Sequence, residues 1–166
     1  IPIVYGSSKA AAYHRKALEI ENFNLNVINT PTEANPKRSN IINCGDDNIK
    51  VELAKSTEEA GQAAFIALER ATEDLKNGLI DVLVTAPINK KNIQSEKFHF
   101  PGHTEYLQEK FNINGEKGLT MLVSDVLRVA VVTGHVPVRQ ISSYISVDAI
   151  VAKLKDLNKS LKQDFA

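Results

Sequence analysis

The stretch from Thr57 to Thr85 constrains the fold more than any other part of the chain. Ser56, with Glu59 three residues on, reads as a capping box. Ala60, Ala64, Ala67, Leu68, Ala71 and Leu75 recur at helical spacing, so a helix is predicted from about Thr57 to Asn77. Gly78 supplies the left-handed stop that ends it. Directly after it, Asp81-Val82-Leu83-Val84-Thr85 is apolar between its end residues, the pattern of a central strand buried on both faces. A helix with a stripe of small residues, followed at once by such a strand, calls for helices layered on a sheet.

The same alternation recurs elsewhere. Ile1 to Tyr5 reads as a strand, Gly6-Ser7-Ser8 as a turn and helix start, and residues 9–20 as a helix. Leu25 to Ile28 and Ile41 to Cys44 are short strand candidates; the second is closed by Gly45-Asp46-Asp47. Residues 30–40, rich in Pro, Asn, Thr and Lys, read as a loop. A helix is predicted from Thr104 to about Phe111. Two apolar strands follow, Leu119 to Ser124 and Leu127 to Thr133, with a tight turn around Asp125. The last helix starts near Ser146 and carries Val147, Ile150, Val151, Leu154, Leu157 and Leu161 on one side. This is the pattern of an α/β domain, and the hairpin makes the expected sheet mixed. With 166 residues and no internal repeat or interdomain linker, residues 1–166 are expected to form a single α/β unit.

Composition narrows the function. Twenty basic and twenty acidic residues cancel, so no broad cationic face is available to neutralise nucleic-acid phosphates, and no nucleic-acid partner is expected. No apolar run approaches the roughly 20 residues of a membrane-spanning helix, so no membrane partner is expected either. Cys44 is the only cysteine, which fits a reducing, cytoplasmic setting and a small core residue. The chain opens without Met, directly on a strand, and Leu161 to Ala166 ends a helical pattern without a stop signal. It is expected to be part of a longer protein.

Ligands of open α/β sheets gather at the carboxyl ends of strands. Three segments qualify here: Thr85-Ala86-Pro87-Ile88-Asn89-Lys90, Phe100-Pro101-Gly102-His103-Thr104-Glu105 and Thr133-Gly134-His135-Val136-Pro137. The second leads into a helix N-terminus, which favours an anion. Thr104 there is either a helix cap or a ligand donor, and His103 either a turn residue or part of a site. Lys90 and Lys91 are solvated loop lysines or a phosphate contact, and Asn89 anchors either the loop or a substrate. His135 could ligate a metal, but a catalytic zinc needs about three protein ligands and no CxxC, HxxxH or HExxH spacing is present. His14 and His99 read as ordinary packing or surface residues. A Rossmann fingerprint, a P-loop and a GxSxG elbow are all missing.

The three segments, in this order and spacing and with Val4-Tyr5-Gly6-Ser7 ahead of them, resemble the 4-hydroxythreonine-4-phosphate dehydrogenase family of vitamin B6 biosynthesis. The resemblance runs over essentially the whole chain. It implies a three-layer α/β sandwich of the isocitrate/isopropylmalate dehydrogenase type, here partial and belonging to a longer two-domain enzyme. It further implies oxidation of 4-phosphooxy-threonine with NAD, loss of carbon dioxide to give 3-amino-2-oxopropyl phosphate, a divalent metal (zinc in the usual assignment) and a homodimer. His103 and Thr104 then correspond to the substrate-binding His-Thr pair, with Lys90 a less secure neighbour. His135 corresponds to the first of three metal-ligand histidines. No residue is assigned to chemistry itself or to NAD.

By the same resemblance, a glycine-rich first strand-turn segment would precede Ile1. The other metal histidines, further basic substrate ligands and the NAD-binding region would follow Ala166. The 166 residues alone are therefore expected to lack dehydrogenase activity, to hold no cofactor, and to associate as an oligomer or swapped assembly through uncovered edges. Three alternatives stay open. One is a non-catalytic domain that binds a phosphorylated ligand or a partner. Another is a paralogous dehydrogenase of a different phosphorylated hydroxy acid. The last is an acyltransferase of related fold, against which the paired histidine turns argue.

Overall fold

A computed structural model describes residues 1–46, 48–112 and 118–165, so the expected turn position Asp47 and the terminal Ala166 lie outside the described residues. The chain divides into two compact units, Ile1–Phe111 and Asn112–Ala166.

The first unit is built on three parallel strands, β1 (Ile3–Gly6), β2 (Leu25–Ile28) and β3 (Ser39–Asn43), in the order β1-β3-β2. Val4 and Val27 both pair with Ile41, so β3 is the central strand. Its Asn40, Ile41 and Ile42 are buried. Asn40 is tolerated there because its side chain is satisfied. Its Nδ2 donates to the carbonyls of Asn35 at 3.0 Å and Arg38 at 2.9 Å, and its Oδ1 accepts from the Asn35 N–H at 3.0 Å. Helix α1 (Ser8–Ala17) starts where Ser7 Oγ accepts from the Ala10 N–H at 3.1 Å. It stops short of the predicted residue 20 because Glu19 adopts a left-handed conformation, φ 54°.

Helix α2 (Glu58–Lys76) is present at nearly the predicted length, and Gly78 takes the expected positive φ of 69°. Two details of its prediction are corrected. The N-cap is Thr57, whose Oγ1 accepts from the Ala60 N–H at 3.2 Å, whereas Ser56 Oγ accepts from the Asn89 side chain at 3.0 Å. The buried face is Gly61, Phe65, Leu68, Ala71 and Thr72, which keeps Leu68 and Ala71 of the predicted stripe, adds Phe65, and leaves Ala60 exposed. The face centres on Phe65, which buries far more area than alanine does. Phe65, Leu68, Ile93, Phe98, Phe100 and Tyr106 form one cluster. Phe98 and Phe100 meet edge-on at 5.5 Å, and Phe100 and Tyr106 do the same at 5.5 Å.

The expected central strand 81–85 is not a strand. Val82 is 70% and Val84 87% exposed, and the segment joins no ladder among the described residues. Leu83 alone turns inward, onto the aromatic cluster.

One polar contact knits this unit further. The Tyr5 hydroxyl donates to the buried Asp74 carboxylate at 2.8 Å, tying β1 to α2. Burial, and then this hydrogen bond, push the Tyr5 phenol well above its ordinary value. Cys44 is buried beside Ile28 and Ile42, the small core residue expected.

In the second unit, β4 (Met121–Val123) and β5 (Arg128–Ala130) pair antiparallel, a shorter form of the predicted hairpin. The Ser124 N–H donates to the Leu127 carbonyl at 2.9 Å across the turn. Parallel and antiparallel ladders thus both occur, in separate sheets among the described residues. A short helix α4 (Ile141–Tyr144) precedes α5 (Val147–Asp164), which Ser146 caps by accepting from the Ala149 N–H at 3.1 Å. Val147, Ile150, Val151 and Leu154 are exposed along α5. No described helix is long and apolar enough to cross a membrane.

One close approach in the first unit decides a substitution. A methyl group at Gly61 would overlap the Asn92 carbonyl and stand 2.9 Å from the Ile93 nitrogen. Alanine gains about 1 kcal/mol over glycine in a helix interior. Overpacking against backbone costs ~1–3 kcal/mol, and here neither backbone can yield without moving the loop. With the cost at the upper end of that range, Gly61→Ala is expected to lower stability by about 2 kcal/mol net in urea denaturation. An unchanged or raised midpoint would show that the loop does not rest on α2.

Candidate functional site

The site is prepared by the loop that follows residue 85. Asn89 organises it: its Oδ1 accepts from the Lys91 N–H at 3.0 Å and the Asn92 N–H at 3.3 Å, a turn closed by its own side chain. Its Nδ2 donates to Ser56 Oγ at 3.0 Å. Asn92 Nδ2 donates to the Thr57 carbonyl at 2.9 Å. The loop is thereby docked on the start of α2, where Gly61 lets it approach. Of the two roles open to Asn89, the structure shows the loop anchor.

Beyond Asn92 the chain dives inward at Ile93 and returns to the core at Phe98 and Phe100. Gln94 spans the excursion. Its side-chain amide donates to the Lys90 carbonyl at 3.2 Å and the Phe100 carbonyl at 3.0 Å. Then comes Pro101-Gly102 and helix α3 (His103–Lys110), held down by the fully buried Tyr106.

The helix begins one residue earlier than predicted. Gly102 is the N-cap, in an extended conformation, and its carbonyl accepts from the Tyr106 N–H at 3.3 Å. Thr104 is therefore not the cap; it lies exposed in the first turn, one residue after His103. Having no side chain, Gly102 cannot cap the first-turn N–H groups, so this pole offers donors and the positive end of the helix dipole.

Lys90 is brought to the same place. A methyl on Gly102 would lie 3.9 Å from Lys90 Cε and 3.6 Å from Glu105 Oε2. The structure thus unites three of the expected site residues, Lys90, His103 and Thr104, at the start of α3. Glu105 faces the same pole, so an incoming anion shares it with a carboxylate. Partial burial holds the His103 imidazole below its ordinary value, so it is neutral at physiological pH. It can then donate one hydrogen bond and accept another. His99 stacks on Phe100 at 4.8 Å, the packing role expected of it.

His135 belongs to the second unit. It sits exposed at the apex of a three-residue turn in which the Val136 N–H donates to the Gly134 carbonyl at 3.0 Å. No three His, Cys, Asp or Glu residues converge among the described residues. His135 alone does not make a divalent-metal centre, which needs about three protein ligands.

Gly61, Asn92 and Gln94 carry no signal in the sequence. Nothing in the local pattern marks them, because their roles come from backbone groups distant in sequence.

The depressed His103 value has a directional consequence. The unfolded chain binds its proton more readily than the folded one, so the contribution is present above pH about 6.5 and is lost as pH falls. An NMR titration is expected to place the His103 midpoint below 6.5; a midpoint above that would mean a charged, solvated imidazole.

Comparison with known proteins places the chain in a family. The family of the pyridoxal phosphate biosynthetic protein PdxA matches residues 1–166. A 4-hydroxythreonine-4-phosphate dehydrogenase from Bacteroides thetaiotaomicron is 54% identical over 99% of this chain and 44% of its own length. One from a Sulfurihydrogenibium species is 32% identical over 98% of this chain and 49% of its own. The crystal structure of a 4-hydroxythreonine-4-phosphate dehydrogenase from Burkholderia phymatum superposes with a TM-score of 0.81 at 25% identity, over 99% of this chain and 50% of that one. That of the Klebsiella pneumoniae protein gives 0.79 at 23% identity, over the same 99% and 50%. The chain spans about half the length of the relatives it matches. On the family match over its whole length, the chain belongs to the PdxA family of pyridoxal phosphate biosynthetic proteins.

Proposed function

We propose that the chain supplies the substrate-holding segment of an NAD-dependent, divalent-metal-dependent 4-hydroxythreonine-4-phosphate dehydrogenase. The observation that carries this reading is the convergence of Lys90, His103 and Thr104 on the uncapped start of α3. The relatives' shared name supports the reaction class. The reaction oxidises the secondary alcohol of 4-phosphooxy-threonine: a hydride passes to NAD and the hydroxyl proton is released. The β-keto acid formed then loses carbon dioxide to give 3-amino-2-oxopropyl phosphate.

Within this scheme the chain's own residues bind and orient. The Lys90 ammonium and the first-turn N–H groups of α3 attract the substrate's anionic end. The Thr104 hydroxyl and the neutral His103 imidazole add hydrogen bonds that fix its direction. A partly buried, neutral imidazole suits this task, since it makes directional contacts without drawing Glu105 across the site. When bound, a divalent metal, with zinc the first choice, supplies Lewis-acid polarisation of the reacting hydroxyl. His135 is proposed as one of its ligands, with the others outside the described residues. A homodimer working in the cytoplasm completes the reading.

Calorimetry of the complete enzyme with 4-phosphooxy-threonine tests it. A hydrogen bond to a charged group contributes about 1.5–3 kcal/mol, so Lys90→Ala and His103→Ala are each expected to weaken binding roughly 10- to 100-fold. Wild-type affinity in both variants would remove the α3 start from the substrate site. The 166 residues alone, assayed for NAD reduction with zinc added, are expected to show no turnover. Sustained turnover would show that they already contain a full ligand set.

A further inference from the structure

We infer that Gln94 is a positioning residue for substrate binding, acting through Lys90 by clamping the two ends of the loop that carries it. The inference rests on the reading of the α3 start given above and adds to it a residue that touches neither substrate nor cofactor.

The geometry is specific. Residues 90 and 100 are the two ends of an excursion that dips to the buried Ile93 and Phe98. The Gln94 side chain reaches both ends at once, 3.2 Å from the Lys90 carbonyl and 3.0 Å from the Phe100 carbonyl. Both neighbours are acceptors, so the end of the amide that faces them must be its NH2 group, which has two hydrogens to give. The rest of the excursion has its own ties. Ser95 and Phe98 exchange backbone hydrogen bonds at 3.0 and 3.2 Å, and the Ile93 N–H donates to the Asn89 carbonyl at 3.2 Å.

Those ties fix the inside of the loop and its Asn89 end. None of them sets the distance between Lys90 and Phe100, and that distance decides whether the Lys90 side chain reaches Gly102. Lysine is a long, flexible cation whose binding depends on where its backbone starts. One hydrogen bond on its carbonyl, shared through the same amide with the Phe100 carbonyl, therefore converts a mobile surface lysine into a placed one. The Phe100 carbonyl stands two residues before Gly102, so the same amide also sets the approach to α3.

This predicts a binding effect without a large stability effect. Gln94→Met keeps the length and loses both hydrogen bonds. Gln94→Glu keeps the shape but turns a carboxylate toward two carbonyl oxygens. In the complete enzyme, with NAD and 4-phosphooxy-threonine, both variants are expected to raise KM about tenfold, with a much smaller change in kcat and in melting temperature. The decisive readout is a double-mutant cycle with Lys90→Ala. If Gln94 acts through Lys90, Gln94→Met raises KM less than twofold once Lys90 is alanine. An equal, tenfold rise in both backgrounds overturns the inference, since Gln94 would then serve the fold or the substrate independently of Lys90. A KM within twofold of wild type for both Gln94 variants, while Lys90→Ala raises it, also overturns the inference and leaves the site reading intact. A KM unmoved by Lys90→Ala itself overturns the site reading and the inference with it.

Discussion

The site depends on how closely the backbone at Asn92 approaches Gly61. A residue with any side chain at position 61 would hold the 89–93 loop off α2. With the loop seated, Ile93 enters the core, and Phe98, Phe100 and Tyr106 close around Phe65. Tyr106 then pins α3, and the start of α3 falls next to Lys90. A helix residue chosen for what it lacks thus sets the position of a cation nearly thirty residues later. Each link is short-range, so the placement is transmitted by packing and hydrogen bonds and needs no long-range electrostatic field.

Charge at the site is local and nearly balanced. The chain carries no net charge, so nothing in its overall field draws an anion in. Attraction comes from the α3 dipole, the first-turn N–H groups and Lys90, and Glu105 opposes it. Such a pole discriminates by geometry more than by charge. An anion gains there only if it accepts from the backbone and from Lys90 together. That explains why the position of Lys90, and hence the backbone that carries it, matters as much as its presence.

Much of the fold was legible in the sequence where the deciding interactions are local. Strand β2 lies at its predicted residues, α2 at nearly its predicted length, and α5 begins at the Ser146 cap. Caps, glycine stops and periodicity act within a few residues. Non-local decisions were not legible. Val82 and Val84 carry the pattern of a buried strand, yet whether a strand forms depends on a neighbour that no local pattern reveals. The choice of Thr57 over Ser56 as cap follows from Asn89 claiming the Ser56 hydroxyl. Of the site, Lys90, His103 and Thr104 were legible by family resemblance, and their convergence is a finding of the structure. Gly61, Asn92 and Gln94 were silent because an amide or a glycine in a polar stretch reveals its partner only after folding.

In the proposed reading, the start of α3, with Lys90 beside it, holds the anionic end of the substrate. Amide chemical-shift mapping during titration with 4-phosphooxy-threonine tests it most directly. The largest shifts are expected on His103, Thr104, Glu105 and the Lys90–Lys91 backbone. Shifts centred elsewhere in the first unit, such as the apolar cleft between α1 and β2 lined by Leu18, Phe23 and Val27, would contradict it.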